Sequence, residues 1–186
     1  AITASAGLTV ESRAATLNVS DAVVLAGSVT AADMSVTSEA GNLSFAQPLT
    51  TTGEGASDGG LTIANDGVIT FDADVSAQGE LAVTSAAVAR TDLRDSEDDL
   101  TETAINASGR LTGGHVSIAV AAGDVSLAEG VSATASGGQS GGIRVSVSDG
   151  DLTIAADADT GSALLAQAGE DGGVALDVSR KLDVSG

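Results

Sequence analysis

The chain has 186 residues, 42% of them hydrophobic, and its 26 acids against 7 bases give a net charge of −19. That charge repels a phosphate backbone and sets nucleic acid aside as a partner. With no cysteine there is neither a disulfide frame nor a thiolate metal site. Two Phe, no Trp, no Tyr and 24 Gly leave Val, Leu, Ile and Ala to build the interior, a composition that suits a repetitive scaffold better than a globular enzyme. No window approaches the ~20 apolar residues of a membrane-spanning helix. The opening Ala1-Ile2-Thr3-Ala4 lacks an initiator Met and the basic and apolar start of an export signal, so the expectation is a processed or excised segment.

In chain order, strand-like triplets with apolar first and third residues occur at Leu8/Val10, Leu17/Val19, Met34/Val36, Leu43/Phe45, Leu61/Ile63, Ile69/Phe71, Leu81/Val83, Val116/Ile118, Val125/Leu127, Leu152/Ile154 and Leu182/Val184. Alternation with period two buries one face and wets the other. The middle residues are mostly Thr, Ser, Asn, Ala or Asp, which suit a solvated outer face. Triplets pair at a spacing of eight or nine (8 with 17, 34 with 43, 61 with 69, 116 with 125, 174 with 182), and the pairs recur about every 26 to 30 residues. A third, weaker strand follows most pairs, at 75–79, 105–109 and 131–135. Three strands per period predict an all-β fold, a parallel β-helix of about six or seven coils spanning residues 1–186 as one rod ~30 Å long.

Asp58-Gly59, Asn65-Asp66-Gly67, Gly123-Asp124, Asp149-Gly150 and Asp171-Gly172 sit at strand boundaries, where corners need positive φ or local side-chain bonding. Asp-Gly is equally a hairpin signal, so an antiparallel sandwich competes; the long repeat favours the solenoid. Arg90–Glu102, RTDLRDSEDDLTE, breaks the rhythm within a charged excursion at about 88–104. The spacing of Ala89, Leu93, Leu100 and Ala104 admits a short surface helix, and a projecting loop fits as well. Joining Leu182–Gly186 to Ala1–Val10 writes another coil, which suggests a longer array or copies stacked end to end.

From Ile105 the text INASGRLTGGHVSIAVAAGDVSLAEGVSATASGGQSGGIRVSVSDGDLTIAADA resembles the repeats of filamentous haemagglutinin-like proteins, large exported β-helical adhesins of Gram-negative bacteria. The resemblance is to a style of repeat and covers most of the chain, with 90–102 departing from it. It implies a right-handed parallel β-helix at the bacterial cell surface or in the extracellular matrix, serving attachment or cell contact. The Asn-Pro motifs of the family's secretion domain are missing, the one proline being Pro48, so the resemblance implies rod rather than export module.

Candidate sites are sparse. Nucleophilic catalysis could involve only one histidine, His115, which reads as a solvent-facing corner residue beside Gly114. β-Helices also carry carbohydrate-active sites, for which Asp72 and Asp74 would supply carboxylates, but the aromatic platforms of a sugar groove are absent. No catalytic, cofactor or metal residue is therefore assigned. Asp157-Ala158-Asp159-Thr160-Gly161 opens like a calcium loop, with Asp149 and Asp151 close in sequence, yet Ala168 stands at position twelve, where a chelating side chain is needed. Weak, non-specific calcium association is the expectation. Arg13, Arg90, Arg94, Arg110 and Arg144 read as relief of acidic crowding, Arg180-Lys181 as too short to hold a polyanion, and Phe45 and Phe71 as stacked core residues. The reading is an acidic, adhesive or structural rod segment whose partners are neighbouring repeats or copies of itself, and surface glycans or other cells. A carbohydrate-active β-helix and a self-assembling filament subunit are the alternatives.

Overall fold

The computed structural model describes residues 2–4, 8–9, 15–20, 22–39, 41–53, 59–86, 103–134, 141–167 and 173–185, with side chains from residue 15 onward. Its 22 strands make seven three-stranded coils and the first strand of an eighth. The coils are β1 (Ile2–Ala4), β2 (Leu8–Thr9) and β3 (Ala15–Val19); β4 (Val23–Leu25), β5 (Val29–Ala31) and β6 (Met34–Ser38); β7 (Leu43–Phe45), β8 (Leu49–Thr51) and β9 (Leu61–Asn65); β10 (Ile69–Phe71), β11 (Val75–Ala77) and β12 (Glu80–Ser85); β13 (Thr103–Ala107), β14 (Leu111–Gly113) and β15 (His115–Val120); β16 (Asp124–Leu127), β17 (Val131–Thr134) and β18 (Ile143–Val147); β19 (Leu152–Ala155), β20 (Leu164–Gln167) and β21 (Val174–Val178). The eighth coil opens with β22 (Leu182–Ser185).

Every third strand stacks in parallel. Sheet A holds the eight strands β1 to β22 that open each coil, sheet B the seven from β2 to β20, and sheet C the seven from β3 to β21. This is a parallel β-helix with three strands per coil, and no antiparallel pair occurs among the described residues. Alternation explains why these segments are strands: from β4 to β19 most bury every second residue and turn the one between outward, as in Val23-Val24-Leu25 and Ile69-Thr70-Phe71. Register then aligns equal positions of successive coils, so Leu43, Ile69, Ile105, Val125 and Leu152 form one buried column in sheet A. The adjacent column runs Leu25, Phe45, Phe71, Ala107, Leu127 and Ile154. Phe45 and Phe71 stack within it, ring centroids 5.3 Å apart and planes 15° from parallel, as expected from their positions.

The periodicity differs from the expectation. Ile2 pairs with Val23, Val23 with Leu43 and Ile105 with Val125, steps of 21, 20 and 20 residues, so the bare coil is about twenty residues long. Longer steps reflect extra chain at corners. The stretches 10–14, 52–60, 135–142 and 168–173 all lie between a sheet B strand and a sheet C strand, 86–102 lies between sheets C and A, and 156–163 between A and B. The pairing of triplets therefore needs correction: 34 with 43, 61 with 69, 116 with 125 and 174 with 182 each span the corner from C to A, whereas 8 with 17 spans the corner from B to C. Likewise 105–109 contains the sheet A strand β13, while 75–79 and 131–135 do contain sheet B strands. Ala104, read as part of a surface helix, lies in β13 as the extra residue of a bulge and is buried. All of Arg90–Glu102 lies outside the described residues, as does Ala89.

Corner glycines serve two purposes. Gly59 and Gly123 adopt positive φ, as expected. Gly67 and Gly150 do not; a Cβ on either would run into the carbonyl oxygen of Gly41 or Gly123 one coil earlier, so close stacking of corners demands glycine there.

Candidate functional site

The charged and polar side chains named above settle mainly on corners, and the structure shows what several of them do. Asp33, Asn42, Asp74, Asp124 and Asp151 each occupy the residue just before the first inward-facing residue of a strand. Each Oδ1 accepts a backbone N–H from the equivalent corner one coil later: Asp33 from Gly59 (2.6 Å) and Gly60 (2.9 Å), Asn42 from Val68 (3.1 Å), Asp74 from Arg110 (3.0 Å), Asp124 from Asp151 (2.8 Å), and Asp151 from Lys181 (3.0 Å). A carboxylate or amide at this position extends the backbone ladder around the bend, where strand geometry alone would leave donors unpaired. Asp74, considered as a catalytic carboxylate, is such a stitch. Asp72 is exposed at the same corner.

Asp157 is the only buried charged residue among those described, at 2% exposure. Its Oδ1 accepts the N–H groups of Asp159 (2.7 Å) and Thr160 (2.8 Å), and its backbone carbonyl accepts that of Gly161 (2.8 Å). This is the local bonding that gives Asp-x-Asp-x-Gly its turn. Its Oδ2 meets the guanidinium of Arg110, which stands two coils earlier on the same corner. Gly130 occupies the intervening coil at that position, as shown by the ladder bonds Leu111 N–H to Gly130 O and Val131 N–H to Ala163 O. A residue without a side chain there lets the ion pair pass. The place a calcium ion would take on Asp157 is thus held by an arginine, and no group of three or more His, Asp or Glu side chains able to hold a metal ion occurs among the described residues.

The remaining residues are dispersed. His115 is half-buried at the start of β15, in register with Glu80, and stands against Gly142 of the next coil, away from Asp72 and Asp74. The backbone carbonyl of Asp149 accepts the N–H of Gly123. Arg144 points outward from sheet C, and Lys181 makes an exposed 3.5 Å contact with Asp183 that contributes little to stability. Arg13, Arg90, Arg94 and Ala168 lie outside the described residues.

The described surface includes two depressions near these residues. One, between Arg110, Glu129, Thr160 and Leu165, has about 10 Å³ of free space, room for a single water. The other is an open groove of about 270 Å³ over Thr16, Ser35 and Thr62 of sheet C, bordered by Asp33. The first closes over the Arg110–Asp157 ion pair, and the second has Asp33 as its one charged lining residue. One internal polar stretch went unread in the sequence: Ser38, Asn65 and Ser85 stack in a sheet C column otherwise lined by Val, with Asn65 Nδ2 bonded to Val68 O (3.2 Å) and Ser85 Oγ to Gly67 O (3.3 Å). Its signal was the polar third inward position of three successive five- or six-residue strands.

The chain matches no protein-family model, no curated protein and no solved structure. No helix among the described residues is long and apolar enough to cross a membrane.

Proposed function

We propose that this chain is a rod segment of an extracellular bacterial surface protein, working as a mechanical spacer and contact surface. One observation supports this most directly: the buried columns run from coil to coil through the described interior and join in one cluster, so most of the buried apolar side chains pack into a continuous shaft. The corner stitches add stiffness along the axis, because each ties one coil to the next. The acidic corners and the hydroxyl-rich outer faces keep such a shaft soluble, and the style of repeat resembles that of filamentous haemagglutinin-like adhesins. Beads coated with the chain should attach to epithelial cells or immobilised glycans above the level of an equally acidic control protein. Absence of attachment, together with release of reducing or unsaturated ends from acidic polysaccharides, would replace the rod with the carbohydrate-active reading.

A self-assembling filament subunit is the alternative reading. Val174, Leu182 and Val184 are 47%, 48% and 43% exposed, whereas their column mates Ile143, Leu152 and Ile154 are buried. These strand edges can accept further ladder bonds, from a following coil of the same protein or from a second copy. Electron microscopy of the purified chain at rising concentration separates the two, since filaments lengthening with concentration favour self-assembly.

A further inference from the structure

The chain contains four asparagines, and their surroundings divide them cleanly. Asn18, Asn42 and Asn106 are exposed, and each carries Ser two residues later, in Asn18-Val19-Ser20, Asn42-Leu43-Ser44 and Asn106-Ala107-Ser108. Asn65, 2% exposed, is followed by Asp66-Gly67 and has no such Ser. Asn-x-Ser is the acceptor tripeptide of N-glycosylation. The fold leaves room for the product: Leu43 and Ala107 are turned into the core with no exposed surface, so the Asn amide and the Ser hydroxyl on either side are directed outward. A sugar on Asn18 or Asn106 would lie over the outer faces of sheets C and A without displacing a core side chain. At Asn42 the Oδ1 already holds Val68 N–H, which leaves Nδ2 as the free end of the amide.

We propose that Asn18, Asn42 and Asn106 are N-glycosylation sites, a modification that stands whether or not the rod is adhesive. The co-reactant is a sugar activated as a diphosphate ester, carried on a nucleoside or a lipid. The Nδ2–C1 bond forms as the C1–O bond to the diphosphate breaks; the diphosphate leaves as an anion and Nδ2 gives up one proton. Asn106 is locked between Thr70 and Ser126 of neighbouring coils, so an enzyme that must bend the acceptor backbone acts before the coils close.

Peptide mass mapping of the chain purified from the cells that produce it tests this, and the covalent readout does not depend on folding. Sugar is expected on the three exposed asparagines and not on Asn65. Ser20→Ala, Ser44→Ala and Ser108→Ala should each remove one sugar, and amidase release should convert each site to Asp. In a second arm, unfolded and folded chain are offered to the cells' soluble extract with nucleotide sugars and to their membranes with lipid-linked sugars. The arm that modifies unfolded chain identifies the donor, and Asn106 of folded chain should remain bare. Unmodified asparagine at all three sites in the native product, or sugar that persists after the Ser substitutions, overturns the proposal.

Discussion

Phe71→Ala is expected to destabilise the rod by about 4 to 5 kcal/mol. Phe71 has no exposed surface, lies 5.3 Å from the ring of Phe45, and faces Ala107 on its other side. Burial of the side chain stabilises by ~1.5 to 3 kcal/mol, and the emptied space adds a cavity cost that brings Phe→Ala losses to about 3 to 5 kcal/mol. The upper end applies because Ala107 is too short to close the gap and the ladder holds its backbone on both sides. The stack between rings contributes roughly 0.5 to 1.5 kcal/mol, so the Phe45→Ala/Phe71→Ala double variant should lose less than the sum of the singles by about that amount. Urea unfolding followed by circular dichroism measures all three. Because coupling between coils is to nearest neighbours, hydrogen exchange should quicken first in β7, β10 and β13 while β19 keeps its protection. A loss under about 1.5 kcal/mol, or strict additivity, would refute the packing argument.

Asp33→Ala, which leaves two part-buried N–H groups without an acceptor, should cost about 1 to 2 kcal/mol, whereas Asp33→Asn keeps the oxygen and should cost far less in the same urea titration. Three glycine replacements separate strain from crowding. Gly173→Ala, in open space without positive φ, should be neutral or slightly stabilising; Gly161→Ala, positive φ in open space, should cost about 1 kcal/mol; and Gly130→Ala, whose Cβ would lie 2.6 Å from Ala163 O, should cost clearly more. Thermal melts in that order would support the corner geometry, and an inverted order would contradict it. Arg110→Met leaves Asp157 charged and buried and should lose about 2 kcal/mol, less than a fully buried pair because Arg110 is 31% exposed. Adding Asp157→Asn to that variant should restore part of the loss in denaturant unfolding.

Strand by strand, the architecture was readable because alternation is local. Leu-Thr-Ile and Ile-Thr-Phe declare an inner and an outer face within three residues, and Gly with Asp marks where they stop. Phe45 and Phe71 could be placed in the core and stacked for the same reason. The corner stitches could not be found that way. Asp74 and the N–H that it accepts, on Arg110, are 36 residues apart, while Asp33 and Gly60 are 27 apart, so no fixed spacing announces them. Asp157-Ala158-Asp159-Thr160-Gly161 read as the opening of a calcium loop, and neither the bonds of Asp157 to Asp159 and Thr160 nor its pairing with Arg110, which a coil of variable length brings to the same edge, could be seen there.

By itself, then, the sequence determined that this chain is a stack of short strands with an aliphatic interior and polar outer positions, since side-chain alternation and turn chemistry act over a few residues. Which strand lies on which was decided only in three dimensions. Insertions of different length at the corners uncouple distance along the chain from position around the prism, and ladder bonds between coils restore the phase that counting loses. That is why Ile105 belongs in sheet A, why the coil is twenty residues at base, and why an aspartate resembling a calcium ligand holds an arginine instead.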